Sequence, residues 1–105
     1  MPKGVEWFYV ALEGGRVIGF SHISHSRMRW ELLRIYLLPE YLGKGIGKKL
    51  LSLGEEFLGR RKVRRYFVSA HAKNRRAIEF YLRNGFVRTK SKDKGGEIYF
   101  QKNLL

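Results

Sequence analysis

The 105-residue chain has no cysteine, a single aspartate (Asp93) and a single glutamine (Gln101). Without cysteine there is no disulfide, no thiolate zinc site and no cysteine nucleophile, a usage that fits a reducing cytoplasm. The lone aspartate falls in a turn, which argues against a Ser-His-Asp triad. Of the three histidines, His22 and His25 do not alternate onto one strand face and His71 lies far along the chain, so no metal site is expected. No apolar run approaches 18 residues, and the start, Met-Pro-Lys-Gly-Val-Glu, lacks a signal-peptide core. A soluble, cytoplasmic protein without a membrane partner is expected. Amides are scarce too, with three asparagines beside Gln101, a composition that hints at a hot environment.

Acidic residues are outnumbered: 9 Asp and Glu stand against 22 Lys and Arg, giving a net charge of +13. Such a field draws phosphates, nucleic acid and acidic proteins without choosing among them, which leaves RNA as a candidate partner. The run Arg60, Arg61, Lys62, Arg64, Arg65 reads either as a nucleic-acid patch or as a solvated connection whose cations favour a helix C-terminus. Apolar residues at 44% and aromatics at 14% suffice for one layered core, so residues 1–105 are expected to form a single domain.

Strand formers fill Glu6–Leu12, turn residues follow at Glu13-Gly14-Gly15, and a second strand covers Arg16–Ser24, together a hairpin. Alternation puts Val17 and Ile23 on one face of that strand and Ile18 and Phe20 on the other. Arg29–Leu38 is a third strand, apolar enough at its end for a central position, and Pro39 stops it. A helix over Gly45–Leu58 carries Ile46, Leu50, Leu53 and Phe57 at helical spacing. Gly47 and Gly54, seven apart, share a side that admits close packing. Val63–Ala70 is a strand, and Asn74 caps a helix that Gly85 ends. Phe86–Lys90 and Glu97–Gln101 close the chain as a hairpin around Asp93-Lys94-Gly95-Gly96. The order β-β-β-α-β-α-β-β predicts an α+β fold with helices on a mixed sheet, antiparallel at first and with one parallel crossover.

The segment Glu40-Tyr41-Leu42-Gly43-Lys44-Gly45-Ile46-Gly47-Lys48-Lys49 sits between the buried strand and a helix start. Its glycines let the backbone approach a ligand, the helix N-terminus favours an anion, and the lysines add charge, so a diphosphate suits it. The nucleotide P-loop is excluded by spacing and by Lys49 where Ser or Thr belongs, and the dinucleotide fingerprint by Leu50.

Arg34-Ile35-Tyr36-Leu37-Leu38-Pro39-Glu40-Tyr41-Leu42-Gly43-Lys44-Gly45-Ile46-Gly47 resembles the acetyl-CoA motif of the GNAT N-acetyltransferase superfamily, Gln/Arg-x-x-Gly-x-Gly/Ala. Gly45 and Gly47 match; Leu42 stands where the family has Gln or Arg. A second block, Asn74-Arg75-Arg76-Ala77-Ile78-Glu79-Phe80-Tyr81-Leu82-Arg83-Asn84-Gly85-Phe86, is similar to the family's Asn-x-x-Ala-x-x-Phe-Tyr-x-x-x-Gly-Phe. The two blocks are correctly ordered, and the resemblance runs from about Phe8 to Phe100.

The resemblance implies an acyl-CoA N-acyltransferase-like fold and transfer of an acetyl group from acetyl-CoA to a primary amine by direct attack on the thioester. It assigns the cofactor to the backbone of Ile35, Leu37 and Leu38, to the loop Leu42, Gly43, Lys44, Gly45, Ile46, Gly47 and Lys48, and to Asn74 and Tyr81. Tyr81 matches the family's general acid, though its ring also suits a helix–sheet interface. Glu31 matches a glutamate that serves some members as base, or else pairs with Arg27, Arg29 or Arg34. Asn74 either bonds the pantetheine arm or caps its helix. The strand and two helices with which members usually begin have no counterpart before Glu6. Three readings follow: an open acceptor site suited to a protein or peptide amine, a first strand free to pair in a homodimer, or a module that binds acyl-CoA, or RNA, without catalysis.

Overall fold

The computed structural model describes residues 4–26, 29–90 and 95–104. Strands β1 (Val5–Glu13), β2 (Arg16–Ser26) and β3 (Arg29–Leu37) are followed by a 3-10 turn at Pro39–Tyr41 and helix α1 (Ile46–Arg60). Then come β4 (Arg65–His71), α2 (Arg75–Arg83), β5 (Val87–Arg88) and β6 (Glu97–Asn103). The order is the expected one, in a six-stranded sheet β1-β2-β3-β4-β6-β5. Sequence reading had joined β5 and β6 as a hairpin, which they form, but β6 also inserts between β4 and β5 and pairs antiparallel with both. Asp93 and Lys94 of the expected turn, and Arg27, lie outside the described residues.

The expected alternation along β2 fails, and a bulge is the reason. Ala11 pairs with Gly19 but Leu12 with Val17, so Ile18 is an extra residue against β1. An extra residue flips every side chain beyond it to the other face. Val17 is therefore 55% exposed while Ile18 (4%) and Ile23 (2%) are buried. A second irregularity follows between β2 and β3: His22 pairs with Arg34 but Ile23 with Leu32, leaving Leu33 extra. Below it Leu32 is buried; beyond it Ile35 packs on the core while Leu33 and Tyr36 are exposed.

β3 and β4 run parallel and share one register pair, Glu31 with Phe67. The bulge at Leu33 begins two residues later, and past it the strands separate. α1 covers the first three strands, with Leu50, Leu51, Gly54, Phe57 and Leu58 buried. Gly54 and Gly47 do permit close approach, each to a different partner. A methyl on Gly54 would stand 2.7 Å from Ile23 Cδ1, and one on Gly47 3.2 Å from the Phe80 ring of α2. Phe57 stacks on Trp7 of β1 at 4.3 Å between centroids. Tyr66, Tyr81, Phe86 and Phe100 complete the core under α2, ring against ring.

A polar bridge ties α1 to β4 and β6. Glu55 accepts from the Tyr66 hydroxyl at 2.6 Å and meets Lys102 Nζ at 2.8 Å. Burial, with the Glu55 bond second, pushes the Tyr66 phenol well above its usual range. Glu55→Ala strips a buried hydroxyl and a half-buried ammonium of their shared acceptor, at a cost of about 2 kcal/mol; urea unfolding of the variant should show a lower midpoint with an unchanged slope. No described helix is long and apolar enough to cross a membrane.

Candidate functional site

Where β3 leaves β4, a cleft of about 1210 Å³ opens between the end of β3, the loop into α1 and one side of α2. The loop wall is built for an anion. Gly45 is the N-cap of α1, at φ 83°, a left-handed conformation that costs glycine nothing. Having no side chain, it leaves the first N–H groups of α1 uncapped; the first intrahelical bond is Lys49 N–H to Gly45 O, 3.0 Å. A methyl on Gly43 or Gly45 would meet nothing within 4 Å, so the space over the loop is open. By contrast Asn74, at the start of α2, closes its own helix end: Oδ1 accepts the Ala77 N–H at 3.2 Å.

The β3 wall supplies donors of a second kind. Leu38 N–H bonds Ile18 O on β2 at 2.9 Å. Successive amides of a strand point to opposite edges, so the Tyr36 amide shares the β2 side. The amides of Ile35 and Leu37 face the gap left by β4. Leu38 is thereby withdrawn from the expected donors: its N–H is committed to Ile18, and its carbonyl accepts Tyr41 N–H at 2.9 Å.

Of the residues singled out from sequence, Ile35, Leu37, Leu42, Gly43, Gly45, Gly47, Lys48, Asn74 and Tyr81 line this one cleft. Ile46, the first residue of α1, is half-buried and does not line the cleft, and Lys44 stands outside it, 5.8 Å from the Tyr41 ring. Glu31 stands apart from these. It sits where β3 still pairs with β4, does not line the cleft, and lies 3.8 Å from Arg29 Nε.

Tyr81 lies both in the helix–sheet interface and at the edge of the cleft. Its ring packs between Phe86 and Phe100 at 5.5 and 5.9 Å, leaving 6% of the residue exposed, yet it borders the cleft. Its hydroxyl has no hydrogen-bond partner among the described residues. Burial pushes its pKa up to about 12, so the proton stays on oxygen at neutral pH.

Sequence reading named Lys48 but missed the arginines of the cleft walls. Arg34, Lys48, Arg75, Arg76 and Arg83 border the cleft against one carboxylate, Glu79. A signal was present: Arg75 and Arg76 occupy the first turn of α2, where the helix dipole disfavours cations and where no acid stands. Cations at the wrong end of a helix make sense beside a bound anion. Asn74, with both a cap and a wall position, makes a direct test. Asn74→Ala should cost about 1 kcal/mol of stability from the lost cap, read as a lower melting temperature without ligand.

Among the described residues no cluster of three His, Asp or Glu is placed to hold a metal. The family model described as "Acetyltransferase (GNAT) family" matches residues 3–86. The chain is 35% identical over 79 residues to spermidine N(1)-acetyltransferase of Thermoplasma acidophilum, covering 75% of this chain and 49% of that protein. It is 31% identical over 85 residues to aminoalkylphosphonate N-acetyltransferase of Salmonella typhimurium, covering 75% and 55%. Its fold superposes on the crystal structure of PaiA N-acetyltransferase from Thermoplasma acidophilum in complex with coenzyme A, with a TM-score of 0.86, 31% identity, and coverage of 93% of this chain and 60% of that one. The chain thus spans about half the length of these curated relatives.

Proposed function

The chain belongs to the acetyltransferase (GNAT) family, and from that premise we propose that it transfers an acetyl group from acetyl-CoA to a primary amine. The observation that carries this reading is the pairing of two unused donor sets in one cationic cleft: the uncapped N-terminus of α1 and the gap-facing amides of Ile35 and Leu37. The first suits a diphosphate, with Lys48, Arg75 and Arg76 adding charge. The second suits an amide-bearing arm and a thioester carbonyl whose oxygen gains charge during attack. Acetyl-CoA supplies the activated acetyl group. Tyr81 Oη, unpartnered and protonated, is placed to give up the proton that a departing thiolate takes. Leu42 offers the phosphates no polar side chain, so the backbone of the loop carries that contact.

The acceptor side fits an amine carried on a peptide as well as a small one, because Leu33 and Tyr36 border the cleft exposed. β1 favours a homodimer through its free edge: nine residues with no proline or lysine, and Phe8, Val10 and Leu12 exposed on the face away from α1. The reading is tested by mixing the protein with acetyl-CoA and a panel of polyamines, aminoalkyl acids and peptides while following thiol release. CoA alone should raise the melting temperature, as a native-state ligand must. No shift with CoA would reject the cleft assignment; a shift without thiol release across the panel would leave a binding module in place of the enzyme.

A further inference from the structure

The opposite end of β3 holds a second depression, of about 510 Å³, lined by Arg29, Trp30, Phe67 and the turn 61–65. Four observations set it apart from a solvated helix end. The Arg29 guanidinium lies over the Phe67 ring at 4.0 Å, and that of Arg61 over Phe57 at 4.8 Å and Trp30 at 5.9 Å. Stacking of this kind holds the planar fork still while leaving its N–H edges free to donate. Arg29 Nε is shut off from solvent with no acceptor among the described residues, since the Glu31 carboxylate at 3.8 Å is beyond hydrogen-bond reach.

The turn itself is built at a cost. α1 ends in a paired cap, Lys62 N–H to Gly59 O at 3.0 Å and Val63 N–H to Leu58 O at 3.0 Å. That motif places its next residue in the left-handed region, usually as glycine; here it is Lys62, at φ 61°, and it is the one non-glycine residue with positive φ among the described residues. A lysine is kept where glycine is cheaper. Finally, the charge exceeds what the helix end explains. A helix C-terminus presents about half a negative charge, whereas Arg29, Arg61, Lys62, Arg64 and Arg65 crowd this site. Glu31 is the single carboxylate any of them meets among the described residues.

We propose that this depression binds the phosphate backbone of a single-stranded nucleic acid. The cations are spread along a turn and two strand ends instead of converging on one nest of amides, so they suit several phosphates in a row better than one small anion. A net charge of +13 points the same way. The site is separate from the acetyl-CoA cleft and stands whether or not that cleft is catalytic.

The test uses the full chain and a fluorescent 12-nucleotide oligouridylate, read by anisotropy. Contacts to four or five phosphates give a log–log salt slope of about −3, so raising salt fourfold should weaken binding about 60-fold. Saturating CoA should leave the affinity unchanged. Lys62→Gly should raise the melting temperature while weakening the oligonucleotide severalfold, a combination that a purely structural turn does not produce. Should that variant fail to fold, Arg64→Gln with Arg65→Gln removes two exposed cations and should flatten the slope by about 1.4. Displacement of the oligonucleotide by CoA, variants with unaltered affinity, or displacement by tripolyphosphate at equal phosphate concentration would each overturn the proposal.

Discussion

Tyr81→Phe is expected to lower kcat for acetyl transfer by about 10² to 10³, the usual worth of a positioned general acid, while CoA still raises the melting temperature as in the parent chain. The substitution removes one oxygen and keeps the ring, so the packing against Phe86 and Phe100 persists. The hydroxyl bonds no described residue, so nothing in the fold is left unpaired by its loss. Equal loss of kcat and CoA affinity would instead mark the hydroxyl as a binding group. Glu31→Gln is the natural companion. Paired with Arg29 outside the cleft, it should leave kcat within about twofold, the scale of a partly exposed ion pair. The phenol also carries a pH signature. Burial raises its pKa from 10.0 to about 12, so the folded state favours the neutral form. That contribution to stability is complete below about pH 10 and is lost as pH rises toward about 12. The phenylalanine variant should lose less stability across that window, read from denaturation midpoints at pH 9 and above.

Gly19→Ala is expected to be the most damaging small substitution, costing about 3 kcal/mol. A methyl there would stand 2.5 Å from both the Tyr36 carbonyl oxygen and Leu37 Cδ2. The carbonyl belongs to the backbone of β3 and cannot swing aside as the tip of a side chain can. The collision falls beside the Leu38–Ile18 hydrogen bond, the last tie between β2 and β3 before the loop. The variant should show a lower melting temperature and, because the Ile35 and Leu37 amides move with the strand, weaker CoA binding. Gly54→Ala makes the contrast: its methyl would meet only the flexible end of Ile23 and gains helix propensity, so the loss should be small.

Two features explain how far the chain could be read before its fold. The loop Leu42–Gly47 and the segment Asn74–Phe86 were legible because each is a local device, a glycine N-cap and an amphipathic helix with its stop, whose chemistry lies in consecutive residues. The bulges at Ile18 and Leu33 were not legible, since nothing in Val17-Ile18-Gly19 says which residue the partner strand will skip. Everything past a bulge inherits that uncertainty. Glu31 was marked only by its resemblance to a family glutamate near the start of the central strand, while the cleft begins where β3 parts from β4, a property of two strands and not of one. Leu38 looked free for a like reason: its N–H donates to the carbonyl of Ile18, twenty residues earlier, a partner that only the pairing of β2 with β3 brings within reach. Gly19, without alternation or motif to mark it, is visible only once Leu37 lies opposite, with the Tyr36 carbonyl beside it.

The single register pair between β3 and β4 has a mechanical consequence. The sheet is two plates, β1-β2-β3 and β4-β6-β5, paired at one register point, Glu31 with Phe67, and otherwise joined through the side chains of their shared core. A ligand lying along the open seam would take the place of the missing strand-to-strand bonds, acting as a splint across it. The plates would then breathe separately when the seam is empty and together when it is filled, so occupancy of the cleft would set the stiffness of the whole sheet.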